Sequence, residues 1–200
     1  SKGPIYIGKN VEIMEGSMLR GSSAFCQGAI VKMGAKIYGG TTIGPFSKVG
    51  GELSNVLILG YSNKGHDGFL GNSLVGEWCN IGADTNTSNL KNNYGMVKSY
   101  SYETNSLEQT NVQFMGVTLG DHSKCGINTM LNTATVVGVS CNLFGAEFPP
   151  KFIPSFSWGN SGETFEFHKA IVAANNMMAR RGLALSDAEV SILRHLSDKN

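Results

Sequence analysis

The sequence predicts an all-β fold, a parallel β-helix of hexapeptide repeats, on the strength of three observations. The first is an apolar residue at every sixth position through the opening part of the chain. The second is a small residue two positions before most of these apolar sites, and the third is a glycine that often follows them. A fixed repeat period is the signature of a solenoid, in which each repeat packs on its neighbours and cannot fold alone.

The large apolar residues recur in one phase over three stretches of the chain. They are Ile7, Ile13, Leu19, Phe25, Val31, Ile37, Ile43 and Val49, then Phe69, Val75 and Ile81, and then Leu119, Cys125, Leu131, Val137 and Leu143. Simple strand alternation does not explain why one residue in six is large while a second inward position is small. A triangular coil does, because three repeats then close a turn of about 18 residues in which each repeat supplies one strand and one corner.

The small residues and the glycines belong at the crowded corners of this prism. The small set includes Ser23, Ala29, Ala35, Thr41, Ser47, Ser73, Cys79, Ser123, Thr129, Thr135 and Cys141. Glycine follows the apolar residue at Gly44, Gly82 and Gly138, among others. We expect these glycines to adopt unusual backbone angles at the bends.

Two interruptions break the period. Between Gly50 and Gly68 the phase shifts, and this stretch contains a histidine between glycines. Between Thr85 and Met115 the departure is longer and rich in Asn, Ser and Tyr. We expect a protruding loop over about residues 86–115, and long excursions from a rigid scaffold often carry function.

Residues 151–200 form a separate C-terminal part. The repeat stops before an irregular segment, after which helix-forming residues in an amphipathic pattern predict a helix over 163–181. Ser186 and Glu189 have the spacing of a capping box and predict a second helix over 187–196. We expect both helices to cap the last coil, whose open strand edges would otherwise favour aggregation.

Composition excludes several partners. The chain has 200 residues, 26 of them glycine, and its 16 basic and 15 acidic residues nearly cancel, which argues against nucleic acid or an anionic membrane as partner. It has neither a bilayer-spanning apolar run nor an export signal, so we expect a cytoplasmic protein. The four cysteines lie far apart without a C-x-x-C pair, and we assign them to the core: Cys26, Cys79, Cys125 and Cys141.

One of the four histidines is a candidate for chemistry. His168 and His195 lie on the predicted helices, and His122 lies in a turn of the repeat. His66 stands in the phase-breaking segment with glycine before it, so a ligand can approach closely. A zinc site like that of β-helical carbonic anhydrases needs three histidines, which the repeat does not offer, and we assign no metal ligand.

A series of motifs surrounds His66 and continues into the later coils. The motifs are Lys64-Gly65-His66, Leu70-Gly71, Asn80-Ile81-Gly82-Ala83, Asn89, Gly126-Ile127-Asn128 and Gly138 to Gly145. Over residues 1–150 the chain resembles the acetyltransferase half of the N-acetylglucosamine-1-phosphate uridyltransferase/glucosamine-1-phosphate N-acetyltransferase family. The resemblance implies a left-handed β-helix, a homotrimer, acetyl-CoA as co-substrate and a role in UDP-N-acetylglucosamine biosynthesis. It also implies a fused N-terminal nucleotidyltransferase domain in the full-length protein, which this chain lacks.

The resemblance assigns roles to individual residues. His66 corresponds to a general base and Ala83 to a backbone N–H that stabilises an oxyanion, while Asn80 and Asn89 correspond to side chains that hold the sugar and acetyl groups. The other implied substrate contacts are Phe69, Lys48, Glu52 and Lys64, and the implied cofactor contacts are Gly126, Ile127 and Gly145. The chemistry fits, because a sugar amine is protonated at neutral pH and must lose a proton before it attacks a thioester, and an imidazole with a pKa near 6.5 can accept it. Phe69 replaces a tyrosine of the family, and Ile127 replaces a serine.

Two other functions remain compatible with the sequence. One is a non-catalytic oligomerisation or binding module of a sugar nucleotidyltransferase. The other is a different sugar-nucleotide acyltransferase, since hexapeptide repeats by themselves indicate only the superfamily.

Overall fold

The computed structural model describes residues 2–160 and 162–199, and it confirms the left-handed parallel β-helix. The strands are β1 (Ile5–Ile7), β2 (Glu12–Ile13), β3 (Met18–Leu19), β4 (Ser23–Phe25), β5 (Ile30–Val31), β6 (Lys36–Ile37), β7 (Thr41–Ile43), β8 (Lys48–Val49), β9 (Glu52–Ile58), β10 (Asn63–Lys64), β11 (Phe69–Val75), β12 (Asn80–Ile81), β13 (Asn86–Thr87), β14 (Lys98–Ser101), β15 (Ser106–Gln109), β16 (Thr118–Leu119), β17 (Lys124–Cys125), β18 (Met130–Leu131), β19 (Val136–Val137), β20 (Asn142–Leu143), β21 (Phe152–Ile153), β22 (Ser157–Trp158) and β23 (Glu163–Thr164). The helices are α1 (Phe167–Ala179) and α2 (Asp187–Ser197). Neither is long and apolar enough to cross a membrane.

The strands stack into three faces of a prism. The first face has the order β1-β4-β7-β9-β11-β16-β19-β21, and the second has the order β2-β5-β8-β10-β12-β17-β20-β22-β23. On the third face β3 pairs with β6, and β13 pairs with β18. In the regular coils the paired residues are 18 positions apart, as for Ile5 with Ser23 and Thr118 with Val136. This offset is the coil length that the six-residue period predicts.

The large residues of the repeat fill the prism. From the second coil onward the buried row comprises Phe25, Val31, Ile37, Ile43, Val49, Val75, Ile81, Leu119, Cys125, Leu131, Val137 and Leu143. Phe69 is an exception to the predicted row, because it points outward and the next residue, Leu70, is buried in its place. Ile7 and Ile13 belong to the first coil, and their side chains remain exposed at its open end.

Small hydroxyl residues connect successive coils inside one corner. The Ser62 hydroxyl donates to the Gly76 carbonyl at 2.7 Å and accepts from the Cys79 N–H at 2.8 Å. The Ser123 hydroxyl repeats this arrangement with Gly138 and Cys141. The predicted small positions are buried, and Ser123 among them also satisfies buried backbone groups. Ser62, which the six-residue step did not predict, has the same role in the shortened coil.

The glycines that follow the apolar residues permit close approach between coils. A Cβ atom on Gly82 would lie 2.5 Å from the carbonyl carbon of Gly126, and one on Gly44 would lie 2.6 Å from the Ile58 carbonyl oxygen. Left-handed backbone angles occur elsewhere, for example at Phe46 (φ 56°) and Trp78 (φ 57°). The prediction of unusual angles at these glycines was wrong, because the stacked backbones leave no room there for a side chain.

The stretch between Gly50 and Gly68 is a shortened coil that stays in the prism. Lys48 pairs with Asn63, only 15 positions on, and Lys64 takes the inward position beside Val49. Strand β9 pairs with both β6 and β7, so one strand continues from the third face into the first. The phase shifts here because a corner is missing.

The long excursion leaves the prism later than the period indicates. Strand β13 still belongs to the third face, and Leu90 and Phe114 form an isolated bridge at the base of the excursion. Strands β14 and β15 form an antiparallel hairpin. The ring of Tyr100 on this hairpin stacks on Phe152 of the first face, with centroids 3.5 Å apart.

The C-terminal part differs from the prediction at its start. One more coil follows residue 150 through β21 and β22, and β23 pairs antiparallel with β22. Because β23 occupies residues expected at the helix start, α1 begins at Phe167. Helix α2 and its capping box of Ser186 and Glu189 are confirmed. Both helices pack on Phe156 of the last coil, and they also run down the corner between the first and second faces as far as Trp78.

Candidate active site

The turns between the second and third faces stack into a column, here called the His66 corner. Its turns are residues 32–34, 50–51, 65–68, 82–84, 126–128 and 144–145. Hydrogen bonds connect them, since the Asp84 N–H donates to the Asp67 carbonyl at 3.0 Å and the Asn128 N–H to the Ala83 carbonyl at 2.8 Å. The β-helix therefore places residues that are far apart in sequence directly above one another.

A cleft of about 480 Å³ lies against the second face beside this corner. Five residues predicted from the sequence line it, namely His66, Asn80, Ala83, Lys48 and Ile127. The other lining residues are Lys32, Asn63, Gly65, Ile81 and Gly82. The structure thus brings the predicted base, the predicted oxyanion donor and one predicted sugar ligand into a single cavity.

The imidazole of His66 is exposed at the edge of the cleft. Its ring makes no hydrogen bond within residues 2–160 and 162–199, so both ring nitrogens are available to a ligand. The backbone beneath it is held by a buried lysine, because the Lys64 ammonium donates to the carbonyls of His66 at 2.6 Å and Asp67 at 3.0 Å. The turn is fixed while the side chain is free.

Ala83 offers a backbone donor to the same cavity. Its neighbours are paired, since the Gly82 N–H donates to the Cys125 carbonyl and the Asp84 N–H to the Asp67 carbonyl. The Ala83 N–H has no acceptor in the described part of the chain. A backbone donor fixed by paired neighbours is the arrangement that stabilises an oxyanion.

Polar side chains cross the second face in one row. Lys48, Asn63 and Asn80 stand in register on β8, β10 and β12. The Asn63 carboxamide oxygen is buried and has no hydrogen-bond partner among the residues described. A buried, unpaired amide oxygen is costly, so a donor group of a ligand would be stabilised here.

Lys64 lies inside the prism and does not line the cleft. Its side chain is 2% exposed and stands in the row of aliphatic residues between Val49 and Cys125. Burial lowers its pKa to about 8, and the negative charges of Asp67 and Asp84 oppose this shift. The structure therefore connects Lys64 to the cleft only through the turn that carries His66.

Three predicted substrate residues lie on the other side of the His66 corner. Glu52 and Phe69 line a groove of about 270 Å³ on the third face, together with Lys36, Asp67 and Asn86. Nearby, the Asn89 amide donates to the Asn72 side-chain oxygen at 2.7 Å. The structure does not bring these residues into the cleft of His66.

The predicted cofactor residues follow the His66 corner toward the C-terminal coils. Ile127 is 73% exposed in the cleft, and the backbone of Gly126 packs on Gly82. Gly145 lies one coil further on, beside the exposed ring of Phe144. Ile127 and Phe144 are thus exposed apolar side chains on successive coils of this corner.

The remaining reactive groups are separated from the cleft. His122 is buried under α2 on the corner between the first and second faces, and desolvation lowers its pKa. Residues 2–160 and 162–199 contain no group of three or more His, Cys, Asp or Glu that could hold a metal. The cysteine thiols are unpaired, and burial raises the pKa of Cys79 and Cys125 to about 12.

Sequence reasoning missed Lys32 and Asn63. The signal was the coil register: Lys32 precedes Gly50 by 18 positions in the same corner, and Asn63 pairs with Lys48 and Asn80 at offsets of 15 and 17. Because the offset changes in the shortened coil, a strict six-residue step passes over Asn63.

The comparisons with known proteins leave the family open, and no family model matches the chain. The chain is 31% identical over 90 residues to the bifunctional protein GlmU of Methanocaldococcus jannaschii. These 90 residues are 45% of this chain and 21% of that protein. The chain thus spans about a fifth of that relative's length. The UDP-N-acetylglucosamine acyltransferase from Campylobacter jejuni is 17% identical to this chain, with a TM-score of 0.42. The match covers 96% of this chain and 78% of that enzyme's chain. The polySia-specific acetyltransferase NeuO is 13% identical over 80% and 84% of the two chains, also with a TM-score of 0.42.

Proposed function

We propose that this protein transfers the acetyl group of acetyl-CoA to the amine of glucosamine-1-phosphate or a related amino sugar phosphate. One observation carries the proposal: His66, whose imidazole is unpaired, and Ala83, whose N–H is unpaired in the described residues, line the same cleft. Base and oxyanion donor in one cavity are what acyl transfer from a thioester requires. The partial identity to a bifunctional protein with this domain supports the same reaction.

The sugar amine reacts in its neutral form, after its ammonium proton has passed to solvent. His66 accepts the second proton, which the nitrogen loses as it attacks the thioester carbonyl carbon. A C–N bond forms, and the carbonyl oxygen becomes an oxyanion to which the Ala83 N–H donates. When the intermediate collapses, the C–S bond breaks and the thiolate of CoA leaves. The imidazolium of His66 then returns its proton to the sulfur, so the histidine ends neutral.

The cleft offers groups for each part of the acceptor. Lys32 and Lys48 supply positive charge for the sugar phosphate, and Asn63 and Asn80 supply amides for its hydroxyl groups. The pantetheine arm would follow Ile127, Gly126 and Gly145 along the His66 corner. Glu52 and Phe69 would act from the groove on the third face, and Asn89 from beside it, if a neighbouring subunit brings the acceptor to that side of the corner.

The proposal includes a homotrimer and a fused nucleotidyltransferase in the full-length protein. Both follow from the family that the motifs resemble, and the flat first face supports the trimer. The relative from Methanocaldococcus jannaschii is several times longer than the matched segment, which is compatible with a further domain.

The test is the release of free CoA thiol from acetyl-CoA in the presence of glucosamine-1-phosphate. General-base catalysis contributes about 10²- to 10⁴-fold, so His66→Ala should lower kcat by that factor. The acetyl-CoA KM and the melting temperature should stay close to wild type, because the ring is exposed and makes no hydrogen bond within the described residues. The control is His168→Ala, which removes an exposed histidine of α1.

A His66→Ala variant that keeps more than about a tenth of the wild-type kcat would contradict the assignment. Wild-type turnover of other amino sugars, with none of glucosamine-1-phosphate, would keep the reaction and correct the acceptor.

A further inference from the structure

A second, smaller pocket adjoins the cleft on the side of the C-terminal helices. This arginine pocket has a volume of about 190 Å³, and its charged lining residues are Lys48, Arg180 and Arg181. The rest of its wall is Tyr61, Asn63, Trp78 and Met177. The two arginines directly follow the last residue of α1, while Lys48 lies on the second face.

The positive charge of the arginine pocket is not neutralised. No carboxylate lines it, and the ion pair found in the described residues, Lys169 with Glu166, lies elsewhere on α1. Three cations around one small cavity repel each other, which costs free energy unless an anion occupies it. Guanidinium groups in this arrangement bind phosphate oxygens strongly, since each can donate two parallel hydrogen bonds.

The pocket is held in shape by stacked aromatic rings. Tyr61 stacks on Phe46 with ring centroids 5.2 Å apart and on Trp78 with centroids 4.2 Å apart. The guanidinium of Arg181 donates to the Phe46 carbonyl at 3.3 Å, which fixes this end of α1 on the prism. The cations in this wall make the pocket suited to an anion.

The arginine pocket adjoins the cleft that contains His66, because Lys48 and Asn63 line both cavities. A ligand lying across the second face beside these two residues would contact both the imidazole and the arginines. We propose that Lys48, Arg180 and Arg181 form a phosphate-binding site for a ligand whose reacting end lies beside His66. The phosphate belongs either to the acceptor sugar or to coenzyme A. The identity of the ligand rests on the proposed function. The binding of phosphate at this site does not depend on it.

The experiment compares the double variant Arg180→Gln/Arg181→Gln with a control of equal charge change. The control is Lys2→Gln/Lys9→Gln, which removes two exposed cations from the first coil. Binding of inorganic pyrophosphate to each protein is measured by calorimetry, with no acetyl transfer required. We expect the dissociation constant to rise at least tenfold in the arginine variant and to stay within twofold of wild type in the control.

Kinetics then distinguish the two sources of the phosphate. If the acceptor supplies it, the KM of glucosamine-1-phosphate rises tenfold in the arginine variant and that of acetyl-CoA does not. If the coenzyme supplies it, the KM of acetyl-CoA rises instead, and acetyl-dephospho-CoA is affected less.

Equal pyrophosphate affinity in the arginine variant and the control would overturn the proposal, as would no measurable binding to the wild type. Arginine-dependent pyrophosphate binding in a protein without any acetyltransferase activity would keep this site and reject the proposed reaction.

Discussion

Lys64 shows how one residue can connect the core of this fold to its candidate site. It occupies an inward position that holds Val49 in the preceding coil, and its ammonium reaches the carbonyls of the turn that carries His66. Burying an amine costs free energy, and the lowered pKa of Lys64, about 8, records this cost. The lysine is retained in a place where an aliphatic residue would pack, which points to a role in positioning the turn.

We therefore expect Lys64→Met to lower kcat by about tenfold, equivalent to roughly 1.4 kcal/mol of barrier, while the protein still folds. The His66 carbonyl would lose its donor, so the turn would no longer hold the imidazole in one place. Lys151→Met is the control, because the Lys151 ammonium also donates to a backbone carbonyl, that of Thr133 at 2.7 Å, and neither residue lines the cleft. Equal losses of kcat in the two variants would indicate a general effect of removing a lysine that donates to the backbone.

The same residue predicts a pH dependence of stability. Its pKa is about 8 in the folded protein against an ordinary value of 10.5, so the unfolded chain binds more protons between these two values. The free energy of unfolding should therefore rise with pH across this window, and the cost of burying the ammonium is complete below it. Urea unfolding at pH of about 7.5 and about 9.5 should show this rise in the wild type and a smaller one in Lys64→Met. An identical rise in both would assign it to other groups.

The site could be predicted from sequence only where local motifs carry it. His66, Asn80 and Ala83 were found because they lie in short motifs near one another in the chain, and all three line the cleft. Lys32 lines the cleft through coil stacking, and the arginine pair lines the adjoining pocket through helix packing, so no local motif marks either. Glu52 and Phe69 were assigned to the same site, but a corner of the prism separates them from it. The six-residue period predicts which residues stack on one another in successive coils. It does not predict on which side of a corner a side chain lies.

At the scale of elements, the excursion is more ordered than its polar composition suggests. Val97 is fully buried, and its N–H donates to the Val112 carbonyl within the excursion. The hairpin of β14 and β15 returns to its own prism, where Tyr100 stacks on Phe152 and Tyr102 packs edge-on against the same ring. Aromatic pairs of this kind contribute about 0.5–1.5 kcal/mol beyond their buried area.

Removing the ring of Tyr100 should release the hairpin from the prism. We expect Tyr100→Ala to speed tryptic cleavage after Lys98 several-fold, because the lost stacking contact raises the population of the open form. Tyr94→Ala is the control, since Tyr94 is 69% exposed and stacks on no ring in the described structure. Unchanged cleavage in Tyr100→Ala would mean that the hairpin is held by its backbone pairing alone.

The two helices illustrate which signals fix an element. The start of α2 was predicted because the capping box of Ser186 and Glu189 is a local interaction, and both of its hydrogen bonds form. The start of α1 was not, because Glu163 and Thr164 pair with β22, a contact that depends on an extra coil. That coil is formed by an irregular sequence after residue 150. Its strands β21 and β22 form by stacking on the preceding coil, and a search for a strict repeat does not reveal this contact.

At the scale of the whole molecule, the three faces of the prism differ in chemistry. The outward row of the second face is polar around the cleft, and the C-terminal helices cover one of its edges. On the first face Leu57 and Leu74 stand in register, and they are 42% and 39% exposed. A flat face with adjacent exposed leucines is typical of a surface that is buried in an assembly.

The last prediction is that this face associates three copies of the chain. Light scattering at micromolar concentration should give a mass near three times 21.3 kDa, about 64 kDa. Leu57→Glu/Leu74→Glu should shift the mass toward the monomer, because two carboxylates placed side by side on a buried face are strongly unfavourable. Leu183→Glu is the control, since Leu183 is 41% exposed in the connection between α1 and α2. If the cleft needs groups from a neighbouring subunit, acetyl transfer will fall in step with the trimer fraction across a dilution series of the leucine variant. A wild-type protein that is monomeric yet active would show instead that one prism carries the complete site.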